Sequence, residues 1–303
     1  MAVLTALLQV LVLLVLPPLL IGVINKVKAL VAGRVGPPLL QSYYDLAKLM
    51  RKDTVTSRTT TWVFVAGPAV TLIAIMLAGL LVPIGPGDAV VTFTGDFVLF
   101  AYLLGLARFF TTSAALDTGS AFEGMGAARE VTYASLSEVA LFFGLLTLGA
   151  LSHGGSLSHM LGELGPATRA PATAPILLVA AGFAIVLLAE NSRIPVDDPN
   201  THLELTMIHE VMVLDHSGPM LAAILYGASL KLFLMSALLV RLIVPTVADP
   251  LVGWLLFMAL VFLVAMFIGA LESVMARLRL VRVPAMLVAA CLLSGFGFLL
   301  AVT

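Results

Sequence analysis

The chain has 303 residues, 61% of them hydrophobic and 11% charged, with a formal net charge of −1. Soluble domains carry about 25% charged residues, so a water-soluble fold could not hide this much apolar surface. The near-neutral charge excludes an electrostatic nucleic-acid binder, and the single cysteine, Cys291, excludes an internal disulfide or a cysteine-ligated zinc or iron–sulfur site.

The first apolar run covers residues 3–24. No charge precedes it, so the positive n-region of a signal peptide is missing, and the run reads as a spanning helix kinked at Pro17–Pro18. A turn, Gly33-Arg34-Val-Gly36-Pro37-Pro38, follows. Leu39, Leu40, Tyr43, Leu46, Ala47 and Met50 then repeat at helical spacing, with Asp45, Lys48 and Lys52 opposite, which predicts a short amphipathic helix at the membrane interface. Further apolar runs fall at 62–83, 97–116, 131–151, 174–190, 219–244, 251–272 and 283–302. Each suits the roughly 20 residues that cross a bilayer as a helix. The expectation is an all-α membrane protein of about eight spans plus the interfacial helix, in a single domain over 1–303, without internal repeats.

Lysine and arginine set the orientation. The first loop holds Lys26, Lys28, Arg34, Lys48, Arg51, Lys52 and Arg58, whereas the second, around Pro83–Asp96, holds none; the last holds Arg277, Arg279 and Arg282. Strict alternation then places the odd-numbered loops in the cytoplasm and both termini on the outer face.

Several charges fall where apolar residues are expected. Arg108 lies inside the third span, Lys231 midway along the sixth, and Glu138 inside the fourth. Glu130 precedes Glu138 by eight residues, a spacing that puts both carboxylates on roughly one helix face. An intramembrane charge costs several kcal/mol and so asks for a reason. Glu138 and Lys231 cannot easily reach the interface, which favours function; Arg241 and Glu272, near helix ends, read as structural or snorkelling.

The third loop reads Asp117-Thr-Gly-Ser-Ala-Phe-Glu123-Gly-Met-Gly-Ala-Ala-Arg129-Glu130, and the fifth Glu190-Asn-Ser-Arg193-Ile-Pro195-Val-Asp197-Asp198, followed by Glu204, His209, Glu210, Asp215 and His216. Such carboxylates and histidines suit either a proton relay or a solvated loop. His202, His209 and His216 are spaced too widely for a helical zinc pair. Gly124-x-Gly126 lacks the third glycine and the preceding strand of a phosphate loop, and reads as a tight turn or a close packing point.

At these residues a family resemblance emerges. Gly33 to Lys48 resembles the first cytoplasmic loop of the H-type membrane subunits of complex I, the NADH-quinone oxidoreductase. Ala189 to Asp197 resembles that family's signature after the fifth helix. Leu116 to Glu130 is more similar to the hydrogenase branch, which includes hydrogenase-4 component C and formate hydrogenlyase subunit 4. The three segments occur in the family's order along essentially the whole chain. The stretch after Asp197 departs from the family's denser glutamate run, and Asp215-His216 stands where Glu-Tyr is usual.

The resemblance implies a non-catalytic, membrane-anchoring subunit in a prokaryotic cytoplasmic membrane. Its cytoplasmic face would dock a soluble arm of hydrogenase-like large and small subunits and an iron–sulfur subunit. That arm, not this chain, would carry the iron–sulfur clusters and a nickel–iron site, or meet a quinone. Arg34, Asp45, Lys48, Asp117, Glu123, Arg129 and Arg193 would form the junction. Glu130, Glu138, Glu190, Asp197, Glu204, Glu210 and Lys231 would carry protons toward antiporter-like membrane subunits. One alternative is the quinone-channel subunit of an NADH-quinone oxidoreductase, bordered by Tyr43, Tyr44 and the Pro17–Pro18 kink. Another, from a different class, is a stand-alone secondary transporter, for which inverted repeats and paired broken helices are the usual signs.

Overall fold

In a computed structural model the described residues are 2–162, 166–197, 207–244, 247 and 249–303, with backbone only for 2 and 166–171. Glu204 and His202, together with Asp198, lie outside them.

The first run folds as α1 (Ala2–Val15) and α2 (Pro17–Val31), bent by 48° at the break. Pro17 and Pro18 carry no amide hydrogen, so they cannot continue the ladder of α1. The interfacial helix α3 (Gln41–Met50) has no buried residue and lies against α2 and α9. The remaining long helices are α4 (Trp62–Leu81), α5 (Asp96–Asp117) and α6 (Ala121–Ser152). A short α7 (Leu157–Gly162) leads to α8 (Pro166–Glu190). The chain ends with α9 (Gly218–Ile243), α10 (Pro250–Val274) and α11 (Val283–Val302).

Among the described residues, seven helices are long and apolar enough to cross a membrane, and the bent α1–α2 pair makes an eighth span. The protein is therefore an all-α, multi-pass membrane protein. These spans fall on the eight apolar runs. The main difference is at α6, whose 32 residues reach about 48 Å, well past a hydrocarbon core of about 30 Å. Most of the third loop is not open chain but the first turns of this helix. Ser120 caps the start, its hydroxyl accepting from the Glu123 amide.

Helix α9 is the hub. It contacts α2, α4, α8 and α10, and most of its residues are buried. Leu230, Phe233, Leu234 and Leu238 on it are fully enclosed. Around it, α4 pairs with α5, α10 with α2, and α11 with both α6 and α8. Without a hydrophobic drive between helices in lipid, such contacts rest on close van der Waals packing and internal hydrogen bonds.

The described parts of the fifth loop do not stay outside the bundle. Ile194, Val196, Met207, Ile208, Val211, Met212 and Val213 are all buried, and the 3₁₀ turn Glu210–Val213 packs on α5 and α6. Gly126 shows why a small residue is needed there: a Cβ on it would lie 2.9 Å from the Ile208 carbonyl oxygen and 2.2 Å from Val211. The expected close packing point at Gly124-x-Gly126 is thus a contact between α6 and the inward-folded loop.

Candidate functional site

Four helices bring charge to one place inside the bundle. Arg108 projects from the middle of α5, Glu130 and Glu138 from α6, Glu190 from the last position of α8, and Lys231 from the middle of α9. Both Glu190 carboxylate oxygens accept from Arg108 Nη2 at 2.6 Å. Lys231 Nζ approaches Glu190 Oε2 at 2.7 Å, and the Ser137 hydroxyl donates to Oε1. Arg108 Nη1 binds Glu138, while its Nε lies 3.5 Å from Glu130.

The partners are unequally enclosed. The side chains of Arg108 and Glu190 are 9% and 5% exposed, but that of Glu138 is 44% exposed, so one end of the cluster opens on the outer surface of α6. Burying a lone charge at this depth would cost several kcal/mol. Mutual pairing offsets that cost. Among the described residues, however, three carboxylates face two cations, so the fully ionised cluster carries a formal charge of −1.

A cavity of about 70 Å³ adjoins the cluster, lined by Thr71, Thr111, Glu130, Glu190, His209 and Lys231 among others. It has room for a few waters and polar groups to hold them, and it is too small for a ligand of a few hundred Å³. A much smaller void joins Glu130 and Glu190 to Asp197. On the other side, Asn191, Ser192, His209, Ile224 and Ala228 also line a larger cleft of about 350 Å³. Pro18 of α2, Asp45 and Leu46 of α3 and Glu210 border that cleft.

Of the residues expected to carry protons, Glu130, Glu138, Glu190 and Lys231 meet directly. Asp197 stands one void away and is heavily engaged: it accepts the Ile208 and His209 amides at 3.2 and 3.0 Å and Arg277 at 2.7 Å. Glu210 faces the larger cleft.

The expected junction residues divide into two groups. Arg34, Asp45 and Lys48 are exposed. The others tie the chain to itself. Asp117 accepts the Thr61 and Phe64 amides at 2.6 and 3.2 Å, capping the start of α4. Glu123, almost wholly buried, accepts the Asp215 amide at 3.1 Å, and Arg129 donates to the Met207 carbonyl at 3.0 Å. Arg193 pairs with buried Glu272 at 3.4 Å, and Lys28 binds the same carboxylate at 2.8 Å. The structural reading of Glu272 fits this triad.

Sequence reasoning does not assign Arg108 and Ser137 to the proton path. Arg108 has a signal, being a lone arginine in the apolar run 97–116; three carboxylates nearby in the membrane require such a cation. Ser137 has none, since its role depends on α8 ending beside α6.

The fold and the buried ionic cluster define a polytopic membrane protein with ionisable groups held inside a helical bundle. The chain belongs to the NADH dehydrogenase family, the complex I membrane subunit, whose model matches residues 3–303. It is 32% identical to Escherichia coli hydrogenase-4 component C over 79% of this chain and 75% of that one. It is 29% identical to E. coli formate hydrogenlyase subunit 4, covering 98% and 96% of the two chains. A chain of the archaeal membrane-bound sulfane sulfur reductase, a respiratory membrane complex, shares the fold at a TM-score of 0.82 and 19% identity over 98% of both chains.

Proposed function

We propose that this chain is the anchoring, proton-path subunit of a complex I-related energy-converting hydrogenase or formate hydrogenlyase-like complex. It docks the soluble arm on its cytoplasmic face, through Arg34, Asp45 and Lys48, and couples redox chemistry there to proton translocation. The iron–sulfur clusters and the nickel–iron site belong to partner subunits in this reading. The membrane is the prokaryotic cytoplasmic membrane, with both termini outside.

The observation that carries the reading is the cluster of Arg108, Glu130, Glu138, Glu190 and Lys231 beside a water-sized cavity. Its surplus carboxylate gives a place to load one proton. Glu138 is the natural carrier, because it is the most exposed member of the cluster. A charge change at Glu130 or Glu190, from protons arriving past His209 or Asp197, is felt at Glu138 through Arg108 at close range, where low dielectric strengthens it. In the reconstituted complex, Glu138→Gln should lower the proton-to-electron ratio while soluble-arm turnover continues; an unchanged ratio contradicts the role.

One feature favours a second reading. The cleft of about 350 Å³ between α2, α3 and α9 is large enough for a small organic ligand, and Pro18 lies on its wall. A quinone channel there would fit the NADH-quinone oxidoreductase alternative. Quinone retained by the purified complex, and lost on filling the cleft with Ala228→Phe, would support it. The transporter alternative is weaker: among the described residues only α1–α2 is a broken pair, whereas transporters use two in corresponding positions.

A further inference from the structure

The Pro17–Pro18 break leaves backbone carbonyls without donors. In a continuous helix the Leu13 and Leu14 carbonyls would accept from residues 17 and 18, which are prolines. The Val15 carbonyl loses its donor as well, because the Leu19 amide turns to Leu16 at 3.0 Å. A carbonyl stranded inside a membrane costs several kcal/mol unless a neighbour supplies a donor.

Two tyrosines, from two different elements, supply donors to two of these three carbonyls. The Tyr226 hydroxyl of α9 donates to the Leu14 carbonyl at 2.7 Å, and the Tyr43 hydroxyl of α3 donates to the Val15 carbonyl. The same corner is closely packed elsewhere. A Cβ at Gly22 on α2 would sit 2.0 Å from the Leu39 carbonyl oxygen, so the chain entering α3 lies directly on α2. Tyr226 is five residues before Lys231 on the same helix, a rise of about 7.5 Å. Lys231 in turn holds Glu190 at 2.7 Å.

We propose that Tyr43 and Tyr226 are positioning residues that latch the interfacial helix and α9 onto the proline break, so that movement of α3 reaches the Lys231–Glu190 pair. The break is the shared anchor. Helix α3 is the exposed element on which a partner can press, and α9 is the rod that carries the lysine. Shifting α3 moves the Val15 carbonyl through Tyr43. The adjacent Leu14 carbonyl then displaces Tyr226, and α9 moves Lys231 against the carboxylate. This coupling rests on the proton-path reading above; the hydrogen-bonded latch itself does not.

The test uses the intact complex in proteoliposomes, measuring electron transfer and proton uptake together. Tyr226→Phe and Tyr43→Phe should each keep electron transfer within about twofold of wild type and lower the proton-to-electron ratio at least about threefold. Pro18→Ala gives the Leu14 carbonyl a backbone donor in place of the tyrosine. It should lower the ratio as Tyr226→Phe does, and combining the two should lower it no further. Should Tyr226→Phe not assemble, Tyr43→Phe, on the exposed helix, decides the question alone. Wild-type ratios in both tyrosine variants, alongside a lost ratio in Glu190→Gln, overturn the latch and leave the proton path standing. A wild-type ratio in Glu190→Gln as well overturns the proton path and the coupling with it.

Discussion

Arg108 holds Glu190 through both carboxylate oxygens, at 2.6 Å each, although α5 and α8 bring these residues from 82 positions apart. Lys231 reaches the same carboxylate from α9. The three residues together therefore fasten α5, α8 and α9, and they are where structure and proposed chemistry coincide.

Removing one partner of a buried pair costs about 3–5 kcal/mol, because the other charge stays buried and unpaired. Arg108→Ala should accordingly be strongly destabilising, seen as a large drop in the melting temperature of the purified complex. Glu190 keeps Lys231 in that variant, whereas Glu130 loses its arginine, so adding Glu130→Gln to Arg108→Ala removes a largely buried unpaired charge and should recover part of the loss. Equal stability of the single and double variants would show that the charge itself is not what the arginine balances.

Asp197 belongs to the scaffold of the fifth loop as much as to a relay, since it accepts two amides and pairs with Arg277. Asp197→Asn retains the size and loses the charge-assisted bonds, each worth about 1.5–3 kcal/mol. Limited proteolysis should cut residues 207–216 faster in the variant. Cleavage at the wild-type rate would mean that the loop is held by its buried apolar side chains alone.

His216 offers a pH signature. Its ring stacks on Phe64 at 4.0 Å, and burial pushes its pKa below the ordinary 6.5, against smaller raising effects from Phe64 and Asp215. The unfolded chain regains the ordinary value, so it binds more protons as the pH falls below 6.5. This contribution to stability is complete above 6.5 and is lost as pH falls toward the lowered folded value. The melting temperature should drop as the pH falls below about 6.5, and His216→Phe should flatten that part of the dependence. The same drop in the variant would assign it to carboxylates instead.

Asp117 binds the first free amides of α4 from the end of α5, acting as a cap supplied across the bundle. Asp117→Ala should cost about 1 kcal/mol, as loss of a helix cap usually does. Thermal unfolding checks this. A loss of activity without a loss of stability would instead point to a direct junction role.

The spans were legible because bilayer thickness fixes the length of an apolar run, and every run became a helix. The interfacial helix was legible from the alternation of Leu39, Tyr43, Leu46 and Met50 with Asp45 and Lys48. Within the site, Glu130 and Glu138 could be paired from their spacing on one helix. Their meeting with Glu190 and Lys231 could not, because it depends on where α8 ends and how α9 threads the bundle. The inward course of the fifth loop was also hidden. Its acidic residues suggest a solvated surface, while Val211, Met212 and Val213, read alone, are too short a run to separate a buried turn from a helix end. Glu123, Arg129 and Arg193 looked like docking charges for the same reason: sequence shows the charge and not the internal amide or carboxylate that takes it up.

The most direct test is the proton-to-electron ratio of the Glu190→Gln complex reconstituted in sealed vesicles. Glutamine keeps the shape of the side chain, but it puts a donating amide where one oxygen accepts and cannot hold the charge that Arg108 and Lys231 share. The expected result is an assembled complex whose soluble arm still turns over while proton translocation falls to a small fraction of wild type. Translocation at the wild-type ratio would contradict a proton path through this cluster.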